Sequence, residues 1–392
     1  MISKLKNTTV QSLGAMSGLI MTMVPGIASA GPSFQVGEEG TMEINYSLQL
    51  WTQQRGFRSA DNSGDSFDTF LRRNRLTFFG QFNDWVSYFA QIEAGGDSRY
   101  GNDDRSIFYR DAYVTLDYSD PVRFIAGRFK NTFSRENLEA CFDQLTIDRA
   151  EVIAYTPFGG TRDTGIAMWG NLADAKFQYR IMIADGREGE EVAKDSPRIT
   201  VRAHWSPLDP EYDYGYRGTY LGTKEVFTLG IAFDQQADIA YADAVAKTKM
   251  VDYTGTTVDV FYEKPTKSGT YTLTGALLDY DAEDAINNPN HDAALPVTTQ
   301  LEASLLKAAY LFPEKIGIGR LQLFTRFETS DYKYTAVNLD QTWTGFGANY
   351  YIDGQRLKAT FEIAQIEFDE ESLTDASLQD YSQVTLGLQL VF

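Results

Sequence analysis

The chain has 392 residues, 35 Lys and Arg against 54 Asp and Glu, and a formal net charge of −19. A single cysteine, Cys141, excludes an intrachain disulfide framework, and the absence of CxxCH excludes c-type haem attached by that motif. The acidic balance argues against nucleic acid as a partner, and His204 and His291 lie too far apart in sequence to suggest a metal or cofactor site.

Lys4 and Lys6 precede a broken apolar stretch that ends in Ala28-Ser29-Ala30, an A-x-A cleavage site. Residues 1–30 are therefore expected to be a signal peptide, removed on export. The chain from Gly31 onward would then carry 33 basic residues (35 less Lys4 and Lys6) against 54 acidic ones, a net −21. Beyond this stretch no run approaches the roughly 18 unbroken apolar residues of a spanning helix.

What the rest shows is alternation. In "MEINYSLQLW", Met42, Ile44, Tyr46, Leu48 and Leu50 oppose Glu43, Asn45, Ser47 and Gln49. "VSYFAQIEA" (86–94), "RDAYVTLDY" (110–118), "RITVRAHW" (198–205), "FTLGIAFD" (227–234) and "LKATFEI" (357–363) repeat the pattern. Period two marks half-buried strands. Sixteen are expected, starting near 42, 71, 85, 109, 122, 162, 176, 197, 225, 254, 269, 303, 319, 341, 356 and 381. Long polar links, among them 53–70, 95–108 and 131–161, alternate with short ones such as 83–84 and 119–121; the long link 207–224 is the exception. A soluble sandwich also alternates, but its strands average five or six residues. Here many runs reach nine to twelve, the length of a tilted bilayer crossing. Trp51, Trp85, Tyr118, Trp205, Phe312, Trp343, Tyr350 and Tyr351 crowd the run ends, as in the aromatic girdles of outer-membrane barrels.

Residues 31–392 are thus expected to form one all-β domain, a transmembrane antiparallel β-barrel of about 16 strands in a bacterial outer membrane. Lipid and lipopolysaccharide would surround it. The final stretch, "YSQVTLGLQLVF", puts Val384, Leu386, Leu388, Leu390 and Phe392 on one face. Closure requires this last strand to pair with the first, and the terminal Phe392 resembles the signal read by the barrel-assembly machinery. A barrel of this size leaves an aqueous channel. No nucleophile motif accompanies either histidine, and 281–292 lacks EF-hand spacing, so no enzymatic activity, metal or cofactor is expected. Cys141 is read as a lone thiol without a redox role.

"FLRRNRLTFFGQF" (70–82), "VRFIAGRFKNTFSRE" (122–136), Arg149 inside "IDRAE" and the ending "LQLVF" resemble the phosphate-selective porin O and P family. The resemblance implies a sixteen-stranded trimeric porin whose third long loop folds into the lumen, with basic residues conducting small anions or oxyanions such as phosphate-like ions. Parity puts Arg73, Arg75, Arg180, Arg198, Arg202, Lys307, Arg326 and Lys358 on lumen-facing positions. Arg128 and Lys130, at the foot of the third loop, join them as candidates with ambiguous facing. In that loop Arg135 and Arg149 stand among Glu136, Glu139 and Asp143, with no Lys between Asn131 and Glu151, where the family carries lysine for phosphate. A general or cation-preferring porin, or a sheath around a partner such as a multihaem electron-transfer cytochrome, therefore remain as alternatives. So does the possibility that the arginines merely pair with wall carboxylates such as Glu43, Glu93, Asp111 and Glu362.

Overall fold

The computed structural model describes residues 31–392 apart from 57, 59–63, 95–106, 152–159, 189–191, 193, 284 and 372–377. The expected signal peptide, most of the 95–108 link and the end of the third long connection lie outside the described residues.

A short strand β1 (Ser33–Val36) folds back on the start of β2, with Ser33 opposite Glu43. The wall then runs through β2 (Gly40–Arg55), β3 (Ser66–Asn83), β4 (Val86–Ala94), β5 (Ile107–Ser119), β6 (Val122–Lys130), β7 (Arg162–Leu172), β8 (Phe177–Ala184) and β9 (Arg198–Trp205). It continues through β10 (Val226–Asp243), β11 (Thr248–Thr266), β12 (Gly269–Asp281), β13 (Leu301–Ile316), β14 (Gly319–Tyr332), β15 (Gln341–Asp353), β16 (Leu357–Phe368) and β17 (Tyr381–Val391). From β2 on, each strand is antiparallel to the next. β17 pairs with β2 from Gln383↔Arg55 to Val391↔Ser47, closing a ring of sixteen strands. Closure removes every edge that would otherwise present unpaired backbone to lipid. The expected strand starts agree to within two residues except at β3 and β11, which begin five and six residues earlier than expected; the hairpin strand β1, which carries no long alternation, was not anticipated.

Alternation builds the two faces. In β17, Gln383, Thr385 and Gln389 are buried inside, while Leu386 and Leu388 are 47% and 53% exposed outside. Three of the expected girdle aromatics need correction. Trp51, Trp343 and Tyr351 are buried on the inner face. Trp51 shares the parity of Gln49 and Gln53, and it packs on Phe70 and on Ile147 of the third connection. Trp85, Tyr118 and Trp205 are exposed outside, as expected.

Two connections turn inward: 131–151 is buried nearly throughout, and 206–225 is buried in part, with Leu208, Asp209, Tyr212 and Thr223 exposed. In 131–151, a short helix α1 (Arg135–Leu138) starts at Ser134, whose Oγ accepts from the Asn137 N–H at 3.1 Å. This segment reaches inner-face side chains on opposite sides of the ring. Asn131 donates to Thr200 (3.1 Å), while Asn349 donates to the Leu145 carbonyl and Gln389 to that of Phe142, both at 2.8 Å. The second is 206–225, between β9 and β10. Its Tyr216 N–H donates to Leu138 O, and its carbonyl accepts from the Ala140 N–H at 2.9 Å. The Glu263 carboxylate accepts from Thr219 Oγ1 and from the Tyr220 and Gly222 N–H groups, satisfying main chain that is turned away from water.

Candidate functional site: the charged inner wall

Lumen-facing charge arises from period two, since a charged side chain on the outer face would enter lipid. Arg73, Arg75, Arg180, Arg198, Arg202, Lys307, Arg326 and Lys358 are all buried on the inner face. Arg128 is not among them. It is exposed on the outer face, opposite Ala112 and Thr164, because β6 turns Ile125 and Phe129 inward. Here the inner face is apolar: Ile125, Phe129, Ala167, Trp169, Met182 and Ala184 form one cluster, with Tyr214 of the 206–225 connection packed against it. The 206–225 connection packs Tyr214 against this patch, so polarity no longer marks the inside.

A bulge sharpens the geometry at β3. The β2–β3 register shifts between Gln49 and Leu50, so Arg72 is an extra residue. Bulges re-aim side chains, and here Arg72 and Arg73 both reach Asp148 of the third connection, at 2.6 and 2.7 Å.

Most wall cations are paired. Arg75 meets Glu93 at 2.9 Å, Arg198 meets Asp234 at 2.5 Å, Arg202 meets Asp259 at 2.6 Å, and Arg326 meets Glu328 at 2.8 Å. Lys307 binds Glu136. Three make no ion pair among the described residues. Arg180 donates to Tyr216 Oη at 2.8 Å and to the Tyr214 carbonyl at 2.7 Å. Lys130 turns its ammonium onto the carbonyls of Leu138, at 3.2 Å, and Glu139. Lys358 donates to Gln144 O at 3.3 Å. The connection itself has no lysine between Asn131 and Glu151, but wall lysines 130, 307 and 358 all reach its atoms.

Within the connection, Arg135 forms a fork onto Glu211 at 2.8 and 2.9 Å, joining the two inward connections. Arg149 donates to the carbonyls of Glu136 (3.0 Å) and Glu139 (2.9 Å) and to Cys141 Sγ (3.1 Å). Burial, aided by the Glu136 charge, pushes Glu139 up to about 7. Burial likewise pushes Asp143 up to about 6, against the pull of Arg217 and Lys358. Burial would raise the Cys141 thiol, but Arg149, Arg75, Lys130 and Arg73 outweigh it and hold its pKa well below the ordinary value.

Sequence reasoning missed the residues that organise this interior from 206–225. The Tyr216 hydroxyl lies 2.8 Å from Arg180, 3.2 Å from Arg202 and 2.6 Å from His204 Nδ1. Arg162, whose fork meets Asp111 at 3.1 Å, was also missed. The available signal was the unusual length of 207–224 and its four tyrosines.

A closed antiparallel wall, apolar outside and lined by charge and hydrogen bonds inside, defines a membrane channel of the porin type. Comparison with known proteins gives the family. The model for "Phosphate-selective porin O and P" matches residues 44–392, and the chain belongs to that family. Family and fold place it in the outer membrane. No curated protein matches the sequence. Solved structures share the fold at low identity. The outer membrane channel DcaP of Acinetobacter baumannii is 13% identical, with 92% of this chain and 99% of that one covered and a TM-score of 0.58. An anion-selective porin from Comamonas acidovorans is 10% identical over 90% of this chain and 100% of that one, with a TM-score of 0.56. In-vitro folded OmpT of Vibrio cholerae, in its trimer form, is 12% identical over 91% and 100%, with a TM-score of 0.51.

Proposed function

We propose that this chain is a homotrimeric, anion-preferring diffusion channel for small solutes, exported by residues 1–30, with 131–161 folded into the lumen as its constriction. The observation that carries the anion reading is the set of inward cations without carboxylate partners among the described residues: Arg180, Lys130 and Lys358. The paired arginines offset one another: Arg72 and Arg73 share Asp148 and Arg75 and Arg110 share Glu93, whereas Arg198 meets both Asp163 and Asp234 and Arg326 both Glu328 and Glu362, so together they shape the wall without setting its sign. An ion entering a narrow lumen loses part of its water, and fixed charge of opposite sign offsets that loss. The anion-selective porin with the same fold supports this reading, and the OmpT trimer supports the assembly.

The contacts of 131–151 with inner-face residues around the ring support the inward fold. With 206–225 also turned inward, little room remains for a sheathed partner protein. Phe392 is proposed as the assembly signal: it exchanges backbone hydrogen bonds with Tyr46, and its ring lies 5.5 Å from the Tyr46 ring. Swelling of liposomes carrying the purified channel tests the function. A small organic anion should enter faster than a neutral solute of equal size. Equal or slower entry contradicts the anion reading.

A further inference from the structure

A cavity of about 370 Å³ opens inside the barrel beside β4–β7, walled on its inner side by both inward connections. Its volume lies at the small end for ligand pockets, and its walls are unusual for a path used by hydrated inorganic ions. Five rings form a continuous ladder along it. Phe89 stacks on Tyr113 (5.1 Å, 16°), Tyr113 meets Phe129 edge-on (6.2 Å), Phe129 meets Tyr214 (6.2 Å), and Tyr214 meets Trp169 (5.6 Å). An apolar wall cannot replace the water of a phosphate ion, whereas aromatic faces and edges favour another ring.

Where the ladder meets residues 138–142, the chemistry turns basic. Arg75, Lys130 and Arg162 line this part. Arg75 is buried, and its Nη2 has no hydrogen-bond acceptor among the described residues. The Lys130 ammonium bonds only main-chain carbonyls. The acidic lining residues are otherwise engaged: Asp111 by Arg162, Asp117 and Asp120 by Arg123, and the acidic thiol of Cys141 by Arg149 at 3.1 Å. Burial raises the pKa of Asp213 against the pull of Arg217 and Lys224.

We propose that this cavity is a subsite for a one-ring aromatic carboxylate, its ring on the Phe89–Trp169 ladder and its carboxylate toward Arg75 and Lys130. The proposal rests on the anion-channel reading and narrows it to amphipathic aromatic anions. The test titrates benzoate, acetate and inorganic phosphate against single-channel current in potassium chloride. Benzoate should interrupt the current at a concentration about tenfold or more below either competitor. Phe129→Leu keeps apolar volume but removes a ring, and should erase most of that advantage. Lys130→Met should weaken benzoate and acetate alike. Arg128→Gln, on the outer wall, should leave the block unchanged. If a variant fails to fold, the wild-type contrast between benzoate and acetate decides alone. An anion-selective wild-type channel that responds equally to benzoate and acetate overturns the subsite and leaves the anion reading intact. A cation-selective salt-gradient potential overturns both.

Discussion

Replacing Arg135 with Met should loosen the hold of the third connection on 206–225, leaving the main-chain bonds of Tyr216 to Leu138 and Ala140 and the barrel wall in place. The guanidinium holds Glu211 through two hydrogen bonds at 2.8 and 2.9 Å, and both residues are buried. Burial alone would raise the Glu211 pKa, yet Arg135, with smaller contributions from His204 and Thr228, brings it from 4.5 down to about 2. That difference corresponds to about 3 kcal/mol, at the lower end of the roughly 3–5 kcal/mol measured when one member of a buried pair is removed. Because the folded-state pKa is depressed, this stabilisation is present above about pH 4.5 and is lost as pH falls toward 2. At neutral pH a loss of about 3 kcal/mol multiplies the open population of the connection by about a hundred. Trypsin reads that population, because Arg217 and Lys224 lie in the connection and proteolysis tracks the open fraction when reclosing is fast. Cleavage at these sites in detergent-solubilised channel should rise by about that factor in Arg135→Met and in Glu211→Gln, with heat-modifiable migration of the barrel unchanged. Cleavage within twofold of wild type in both variants would refute the latch.

Four further outcomes are expected. Arg180→Gln removes lumen charge without orphaning a carboxylate. For an ion passing about 6 Å away in water-like dielectric, one charge is worth about 0.7 kcal/mol of opposite sign for anion and cation, so their permeability ratio should fall up to about tenfold; an unchanged ratio counts against Arg180. Arg202→Ala strands Asp259 and should also lower the yield of folded protein, whereas Arg73→Ala leaves Asp148 paired with Arg72 and should lower it less. Glu139 and Asp143 carry raised pKa values of about 7 and about 6, so stability contributed by their protonated forms is lost as pH climbs from about 4 toward 7, and the new charge should weaken anion preference. Reversal potentials at about pH 5 and pH 8 check the sign, and identical values contradict it. Deleting Phe392 removes its ring contact and two backbone hydrogen bonds with Tyr46, and should lower heat-modifiable protein in the outer membrane while export is unaltered; undiminished folded protein would sink that role.

The wall was legible because its rule is local. Lipid on one side and polar contacts on the other impose period two residue by residue, so β17 and the inward arginines could be read without knowing their neighbours. The rule failed where a distant segment covered the wall. Phe129 and Ile125 turn inward where Tyr214 of a distant connection packs against them, and Arg128, of opposite parity, falls on the outer face. Trp51 was placed with the girdle by its position at a run end, although its parity with Gln49 already pointed inside. The inward course of 206–225 depends on Glu211 meeting Arg135 and on Glu263 accepting main-chain N–H groups, contacts 76 and 41–44 residues apart in sequence. No local pattern encodes them. Nor did sequence reveal that the lysines reaching the third connection would come from the wall.

The central claim is that fixed positive charge in this lumen selects anions. The zero-current potential of the purified wild-type channel across a potassium chloride gradient measures it directly, since potassium and chloride diffuse almost equally in water and any potential reports the pore. The account predicts the sign of chloride permeation, with the magnitude shrinking as salt rises and screens the wall. A potential of the sign of potassium permeation would contradict it.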